Sequence, residues 1–413
     1  MQTVTENEVG ARLASLPGTE PRVVVSGNFA TPMVLLRDLD AALETVRTFS
    51  LNAQLDWPRR AGFVNETPFV GPGVRHDPAL VYLPMRLSLV PRLFDTLRPV
   101  DAVLIHTSVP RGGKVSLGIE VNILPAAIER VRARGGLIVA QVNPNMPYTF
   151  GDGEIAVDQI DLALEVDTPL QTHIRRPATA AERVIGERVA AFADDGSTLQ
   201  LGIGQIPDIA AAELVDRHHL GIWSEMISDA VLTLERTGAL DADRPISASF
   251  LFGSPELYAW ADGNRRLRMT RTEVINDPMR IAAHPAMLSI NMAMQVDLFA
   301  QANASFIRES IYSGFGGQPD FVSGALHSQG GHAVVALHSW HDKSDSSAVL
   351  PILTNPVTSF QHTAIVSDQG CAELFGRSEH EQARSIIERV ADPRAHDLLL
   401  ERAGSLGLLP AHD

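Results

Sequence analysis

One stretch, Asp195 to Asp229, constrains this chain more than any other: D-G-S-T-L-Q-L-G-I-G-Q-I-P-D-I-A-A-A-E-L-V-D-R-H-H-L-G-I-W-S-E-M-I-S-D. Thr198-Leu199-Gln200-Leu201 reads as a short strand, Gly202-Ile203-Gly204 as a turn, and Pro207 opens a helix over Ile209 to Arg217. A proline is tolerated there because the first helical turn has no use for its missing N–H. A second apolar strand, Leu220 to Trp223, then delivers Glu225 at its carboxyl end. Strand, crossover helix and strand imply a parallel sheet covered by helices. Ligands collect at the carboxyl ends of such strands. A carboxylate beside a turn of free N–H groups suits a nucleophile with anion stabilisation at hand. The same residues also suit a helix start, with Ser228 and Asp229 capping and Glu225 favouring the dipole. Spacing leaves both readings open.

The remaining chain repeats the pattern. Arg22 to Ser26 reads as a buried strand, followed by Gly27-Asn28-Phe29-Ala30-Thr31-Pro32 and a helix from about Met33. Gly27 to Pro32 has the spacing of Gly202 to Pro207, which suggests a duplicated α/β unit. A helix is expected over Asp38 to Phe49, on Leu39, Leu43 and Val46. The Gly-, Pro- and aromatic-rich segment Trp57 to Val74 reads as a loop. Ala102 to Ile105 and Leu137 to Val142 read as strands, with a helix over Ala126 to Arg134 stopped by Gly135 and Gly136. The linker-like D-T-P-L-Q-T-H-I-R-R-P (167–177) precedes a capping-box pattern, Thr179 with Glu182. The expected domains are therefore 1–177 and 178–413. Strands are expected near 198, 221, 247, 273 and 334, and a helical tail over Glu379 to Leu408 with a break at Pro393.

Composition narrows the partners. The chain has 413 residues and a net charge of −15, which argues against a nucleic acid held through its phosphates. A small anionic ligand is not excluded, because local N–H groups can bind it. The single cysteine, Cys371, rules out an internal disulfide framework and a cysteine zinc site; with no signal-peptide pattern, a cytoplasmic protein is expected. No window is long and apolar enough to span a bilayer. His218 and His219 are adjacent, a poor spacing for one metal, and no H-E-x-x-H occurs, so no metal is expected. The 202–207 turn lacks the third glycine of a dinucleotide fingerprint. A second glycine turn, Ser313-Gly314-Phe315-Gly316-Gly317-Gln318-Pro319, is either a tight turn or a source of N–H donors.

Taken in order, several segments resemble the acetyl-CoA hydrolase/transferase family of family I CoA-transferases, which includes 4-hydroxybutyrate CoA-transferase. They are V-S-L-G-I-E (115–120), N-M-P-Y-T-F-G-D (145–152), D-G-S-T-L-Q-L-G-I-G-Q-I-P-D (195–208), G-I-W-S-E-M-I-S-D (221–229), V-I-N-D-P (274–278), S-I-N-M-A-M-Q-V-D-L (289–298), S-G-F-G-G-Q-P-D-F-V-S-G-A (313–325) and G-C-A-E-L-F-G (370–376). The resemblance implies two tandem, related α/β domains of the CoA-transferase (NagB/RpiA-like) fold. It places the family's catalytic glutamate on Glu225, acting through an acyl-glutamyl anhydride and a glutamyl-CoA thioester. It implies active-site support from Gln200, Gly316, Gly317 and Asn28. It implies CoA contacts from Gly202, Ile203, Gly204, Gln205, Ile206, Asn291, Gly314 and His332. Acyl-CoA and a small carboxylic acid are the implied substrates, with no permanently bound cofactor, and a homodimer is the implied assembly. The alternatives are an acyl-CoA hydrolase on the same scaffold and a noncatalytic acyl-CoA-binding protein.

Four positions depart from the family pattern. Asn28 stands near an expected histidine, His332 replaces a lysine, Ala348 an arginine and Asp368 a glutamate. Such changes imply an acyl group or acceptor unlike acetate, or a weakened transferase.

Overall fold

The computed structural model describes residues 1–173, 176–202, 204–357, 359 and 361–409. It divides into two compact units. The first comprises Met1–Ile174, Pro245–Ile275 and Ile311–Gly316; the second comprises Arg175–Arg244, Asn276–Ser310 and Gly317–Asp413. The chain first passes from one unit to the other near residue 175, and two later segments return to the first.

The first unit is built on eight parallel strands: β1 (Gln2–Thr3), β2 (Arg22–Val25), β3 (Val46–Phe49), β4 (Phe63–Thr67), β5 (Leu80–Tyr82), β6 (Ala102–Thr107), β7 (Leu137–Val142) and β8 (Leu162–Glu165). They lie in the order β1-β8-β7-β6-β2-β3-β4-β5. Their apolar residues pack with helix α1 (Met33–Ala42), where Leu35, Leu36 and Leu39 are fully buried. β6 and β7 are buried along their whole length, as strands covered on both faces must be. From β2 the chain passes to β3 on one side and β6 lies on the other, so the strand order reverses between β2 and β6.

The second unit repeats this logic. Its strands β9 (Thr198–Leu201), β10 (Gly221–Trp223), β11 (Met287–Met292), β12 (His332–Ala336), β13 (Ala364–Val366) and β14 (Cys371–Glu373) lie in the order β14-β13-β12-β11-β9-β10. All neighbours are parallel except β13 and β14. The order reverses between β9 and β11. Helix α2 (Ala180–Ala190) starts with the expected capping box of Thr179 and Glu182, and the tail forms helices Glu379–Arg389 and His396–Ser405. Among the described residues, no helix is long and apolar enough to cross a membrane.

Several local expectations are corrected. The segment 38–49 is not one helix: α1 ends at Ala42, and Val46–Phe49 is strand β3. The loop expected over 57–74 contains strand β4. The residues near 273 form a helical turn, Thr272–Ile275, and the strand before them is Leu267–Met269. Helix α3 runs Gln205–Ala212, so Pro207 sits inside its first turn and the helix stops well before Arg217.

Candidate active site

Glu225 follows β10, and one hydroxyl fixes the backbone there. Ser224 Oγ accepts from the Leu201 N–H at 3.1 Å and donates to the Met226 carbonyl at 2.6 Å. The exit of β10 is thereby stapled to the end of β9. Ser228 then caps helix α4 (Asp229–Thr237), its Oγ accepting from the Ala230 N–H. The capping reading is realised by Ser228.

The Glu225 carboxylate sits against a helix start. Asn276 Nδ2 donates to Glu225 Oε2 at 2.8 Å. Gly317 lies so close that an added Cβ would fall 2.0 Å from Glu225 Oε2 and 2.4 Å from Asn276 Nδ2. Glycine is required here because the carboxylate occupies the space of a side chain. Gly317 also precedes helix α5 (Gln318–His327) as its N-cap, with no side-chain cap. Pro319 has no N–H and the Asp320 N–H donates to the Gly317 carbonyl at 3.1 Å, so it is chiefly the positive end of the helix dipole that favours negative charge here. Even so, the Glu225 carboxyl is pushed up to about 7, chiefly by burial; Asn276 pulls the other way, and the charge of fully buried Asp320 adds to the rise. Glu225 is half-buried as a residue.

Beside it, the reversal between β9 and β11 carries a polar group. Gln200 pairs with Ser289 in register. Gln200 Oε1 accepts from Ser289 Oγ at 2.7 Å and from Asn291 Nδ2 at 3.3 Å, and Asn291 Nδ2 donates to Ser289 Oγ at 2.8 Å. The Gln200 oxygen is occupied, which leaves its Nε2 as the end that can donate to a ligand.

The other sequence candidates fall into place unevenly. Gly202 packs near the Ile290 carbonyl, and Gly204, with φ 143°, is the N-cap of α3. Gln205 Nε2 donates to the Arg176 carbonyl at 2.6 Å, and Ile206 is buried; Ile203 lies outside the described residues. Gly314 and Gly316 belong to the first unit, packed on Pro68, Tyr82 and Phe69. Asn28 is buried at the β2/β6 reversal of the first unit. His332 opens β12, three residues before the Val335 that pairs with Asn291, and its ring meets Phe192. It therefore stands toward the amino edge of the sheet, one register position before the Ser289 that pairs with Gln200 and three before Asn291. Asn276 had no assigned role in the sequence reading; its signal was the N-D-P start of a helix, where Asp277 caps Pro278–Ala282. Among the described residues, no group of three His, Cys, Asp or Glu is placed to hold a metal ion.

Known proteins resemble this arrangement over most of its length. The acetyl-CoA hydrolase/transferase C-terminal domain profile matches residues 253–403, which include Asn276, Asn291 and Gly317. The chain is 36% identical over 332 residues to 4-hydroxybutyrate coenzyme A transferase of Clostridium kluyveri, covering 77% of this chain and 76% of that protein. It is 31% identical over 406 residues to succinyl-CoA:acetate/propanoyl-CoA:succinate CoA transferase of Fasciola hepatica, covering 92% and 84%. The crystal structure of RipA from Yersinia pestis superposes with a TM-score of 0.91 at 25% identity, over 99% of this chain and 98% of that one.

Proposed function

Because the chain belongs to the acetyl-CoA hydrolase/transferase family, we propose that it moves CoA from an acyl-CoA to a carboxylic acid with Glu225 as nucleophile. The observation that carries this reading is the Glu225 carboxylate, desolvated to a pKa of about 7 and seated against Gly317 at the start of α5.

The chemistry follows from that setting. The Glu225 carboxylate attacks the acyl-CoA thioester carbonyl; the C–S bond breaks, leaving an acyl-glutamyl anhydride and CoA thiolate. The thiolate attacks the glutamyl carbonyl and expels the first carboxylate, giving a glutamyl-CoA thioester. The acceptor carboxylate attacks that thioester, releasing thiolate and forming a second anhydride. Attack of the thiolate on the new acyl carbonyl gives the new acyl-CoA and regenerates Glu225. Anhydride formation is uphill, and a carboxylate held above its energy in water offsets part of the climb. The rise from 4.5 to about 7 corresponds to about 3 kcal/mol. Each step gathers negative charge on a carbonyl oxygen, which the positive end of α5 and the amides of Gln200 and Asn276 can stabilise. Transfer of this kind keeps the thioester energy and calls for no nucleotide. A cytoplasmic homodimer accompanies the reading, and sedimentation of the purified protein tests the dimer.

Hydrolysis is the second reading, favoured by the partial exposure of Glu225 and by a family that spans both activities. CoA release that continues without any acceptor acid would establish it.

The test is peptide mass spectrometry after incubation with butyryl-CoA and borohydride. Reduction of the glutamyl thioester to an alcohol should appear on the peptide containing residue 225, and Glu225→Gln should abolish both the mark and turnover. An unmarked peptide, or normal turnover by Glu225→Gln, would overturn the reading.

A further inference from the structure

Gln200, Ser289 and Asn291 form a closed polar group inside the second unit, toward the carboxyl ends of β9 and β11. Gln200 and Ser289 are paired in register, so their side chains share a face, and Asn291, two residues on, shares it too. On the other side of β9, Leu201 pairs antiparallel with Met226. Gln200 and Glu225 each stand one position before that pair, and alternation puts both on the face opposite to Leu201 and Met226. The polar group and the proposed nucleophile therefore share one face of one unit.

Ser289 is fully buried, whereas Gln200 is 4% and Asn291 7% exposed. Gln200 Nε2 and Asn291 Oδ1 have no hydrogen-bond partner among the described residues, and neither is sealed from solvent. The two amides thus open outward with one donor and one acceptor. Ser289 decides that polarity. Its hydroxyl has one proton, so two amides sharing its oxygen must meet it in opposite senses, one giving and one receiving. Asn291 gives, at 2.8 Å, and Gln200 receives, at 2.7 Å. A Gln200 amide turned over would set its NH₂ against that of Asn291 and leave the serine proton without an acceptor. Without the hydroxyl, the Gln200 oxygen keeps only the 3.3 Å bond from Asn291, which is longer than an ordinary N–H···O bond and a poor hold on a near-symmetrical group.

Resting on the CoA-transfer reading, we propose that Ser289 is a positioning residue: it keeps Nε2 of Gln200 turned outward, as a donor to the carbonyl oxygen that gains charge when Glu225 attacks. Being fully buried, Ser289 touches no substrate itself and acts only through the amide that it orients.

The experiment is steady-state transfer from butyryl-CoA to acetate by Ser289→Ala, Ser289→Cys, Gln200→Leu and the double variant of Ser289→Ala with Gln200→Leu. Melting temperatures and the Glu225 mark are recorded in parallel. Gln200→Leu should lower kcat about a hundred-fold, the scale of one lost oxyanion donor. Ser289→Ala should lower kcat about thirty-fold with KM for butyryl-CoA within about three-fold, since a misdirected donor is missed in the transition state. Added to Gln200→Leu, Ser289→Ala should change kcat by less than about two-fold, because the group it orients is gone. A serine that served the fold alone would cost the same factor in both backgrounds. Ser289→Cys keeps the shape with a weaker donor and serves where Ser289→Ala does not fold; its kcat should fall about ten-fold. Wild-type kcat in a folded Ser289→Ala or Ser289→Cys, or a full second loss in the double variant, overturns the positioning role. Normal turnover by Gln200→Leu overturns it as well and leaves the transfer reading standing. Wild-type protein that moves no CoA and carries no mark overturns the transfer reading itself.

Discussion

On the proposed reading Glu225 gains reactivity at the expense of stability, and the two effects share one pH window. Its carboxyl is raised from 4.5 to about 7 by burial. Between those values the unfolded chain has lost the proton and the folded chain keeps it, so the native state binds more protons and stability falls as pH rises. The penalty is absent below about 4.5 and complete above about 7, where it amounts to about 3 kcal/mol. The transfer rate should follow the ionised fraction and climb through a midpoint near 7. Glu225→Gln should be inactive yet more stable than wild type at pH 8, with the difference vanishing toward pH 4. Urea titrations of both proteins at the two pH values check this; a variant less stable at pH 8 would show that the carboxylate is not held at a cost.

At the level of elements, the start of α5 works only because Gly317 is bare. The atom its Cβ would strike is the tip of a side chain, Glu225 Oε2 at 2.0 Å, and such a tip can move aside. Gly317→Ala should therefore fold with a melting temperature near wild type while turnover drops about a hundred-fold, the scale of an ångström's misplacement. Turnover within about two-fold of wild type would show that the carboxylate is not set by this helix start. Sequence reading found the elements that announce themselves locally, such as the Thr179–Glu182 box, and the Gly-to-Pro turns. It missed β4 because the Gly, Pro and aromatic residues of the surrounding Trp57 to Val74 segment read as a loop. The strand is buried because Arg22, Arg47 and Arg98 converge on Glu66 from neighbouring segments, and that is tertiary information. It carried a helix through Phe49 because Leu39, Leu43 and Val46 keep helical spacing across the helix end. Glu225 was legible from its place after a strand, but its pairing with Asn276 joins segments 51 residues apart, and no local pattern announces it. The grouping of Gln200 with Ser289 and Asn291 was likewise unreadable, since β9 and β11 bring together residues 89 positions apart in the chain.

Across the whole molecule, the charge of −15 sets how an anionic CoA ester approaches. A chain that held CoA by a cationic field would lose affinity with added salt, because screening removes attraction. The family resemblance leads to the expectation of cations at two positions that here are His332 and Ala348, and burial lowers the His332 pKa from its ordinary value. On the proposed reading, recognition rests on N–H donors and side-chain amides at the carboxyl edges of the sheets, which act at contact distance and are little screened. The long-range field is repulsive, and salt relieves it. The value of kcat/KM for butyryl-CoA should therefore stay level or rise as ionic strength increases from about 0.02 to about 0.2 M, over which the Debye length shrinks from roughly 20 Å to below 10 Å. Initial rates at substrate concentrations well below KM measure this directly. A steep fall would mean that arginines elsewhere on the surface steer the substrate despite the net charge.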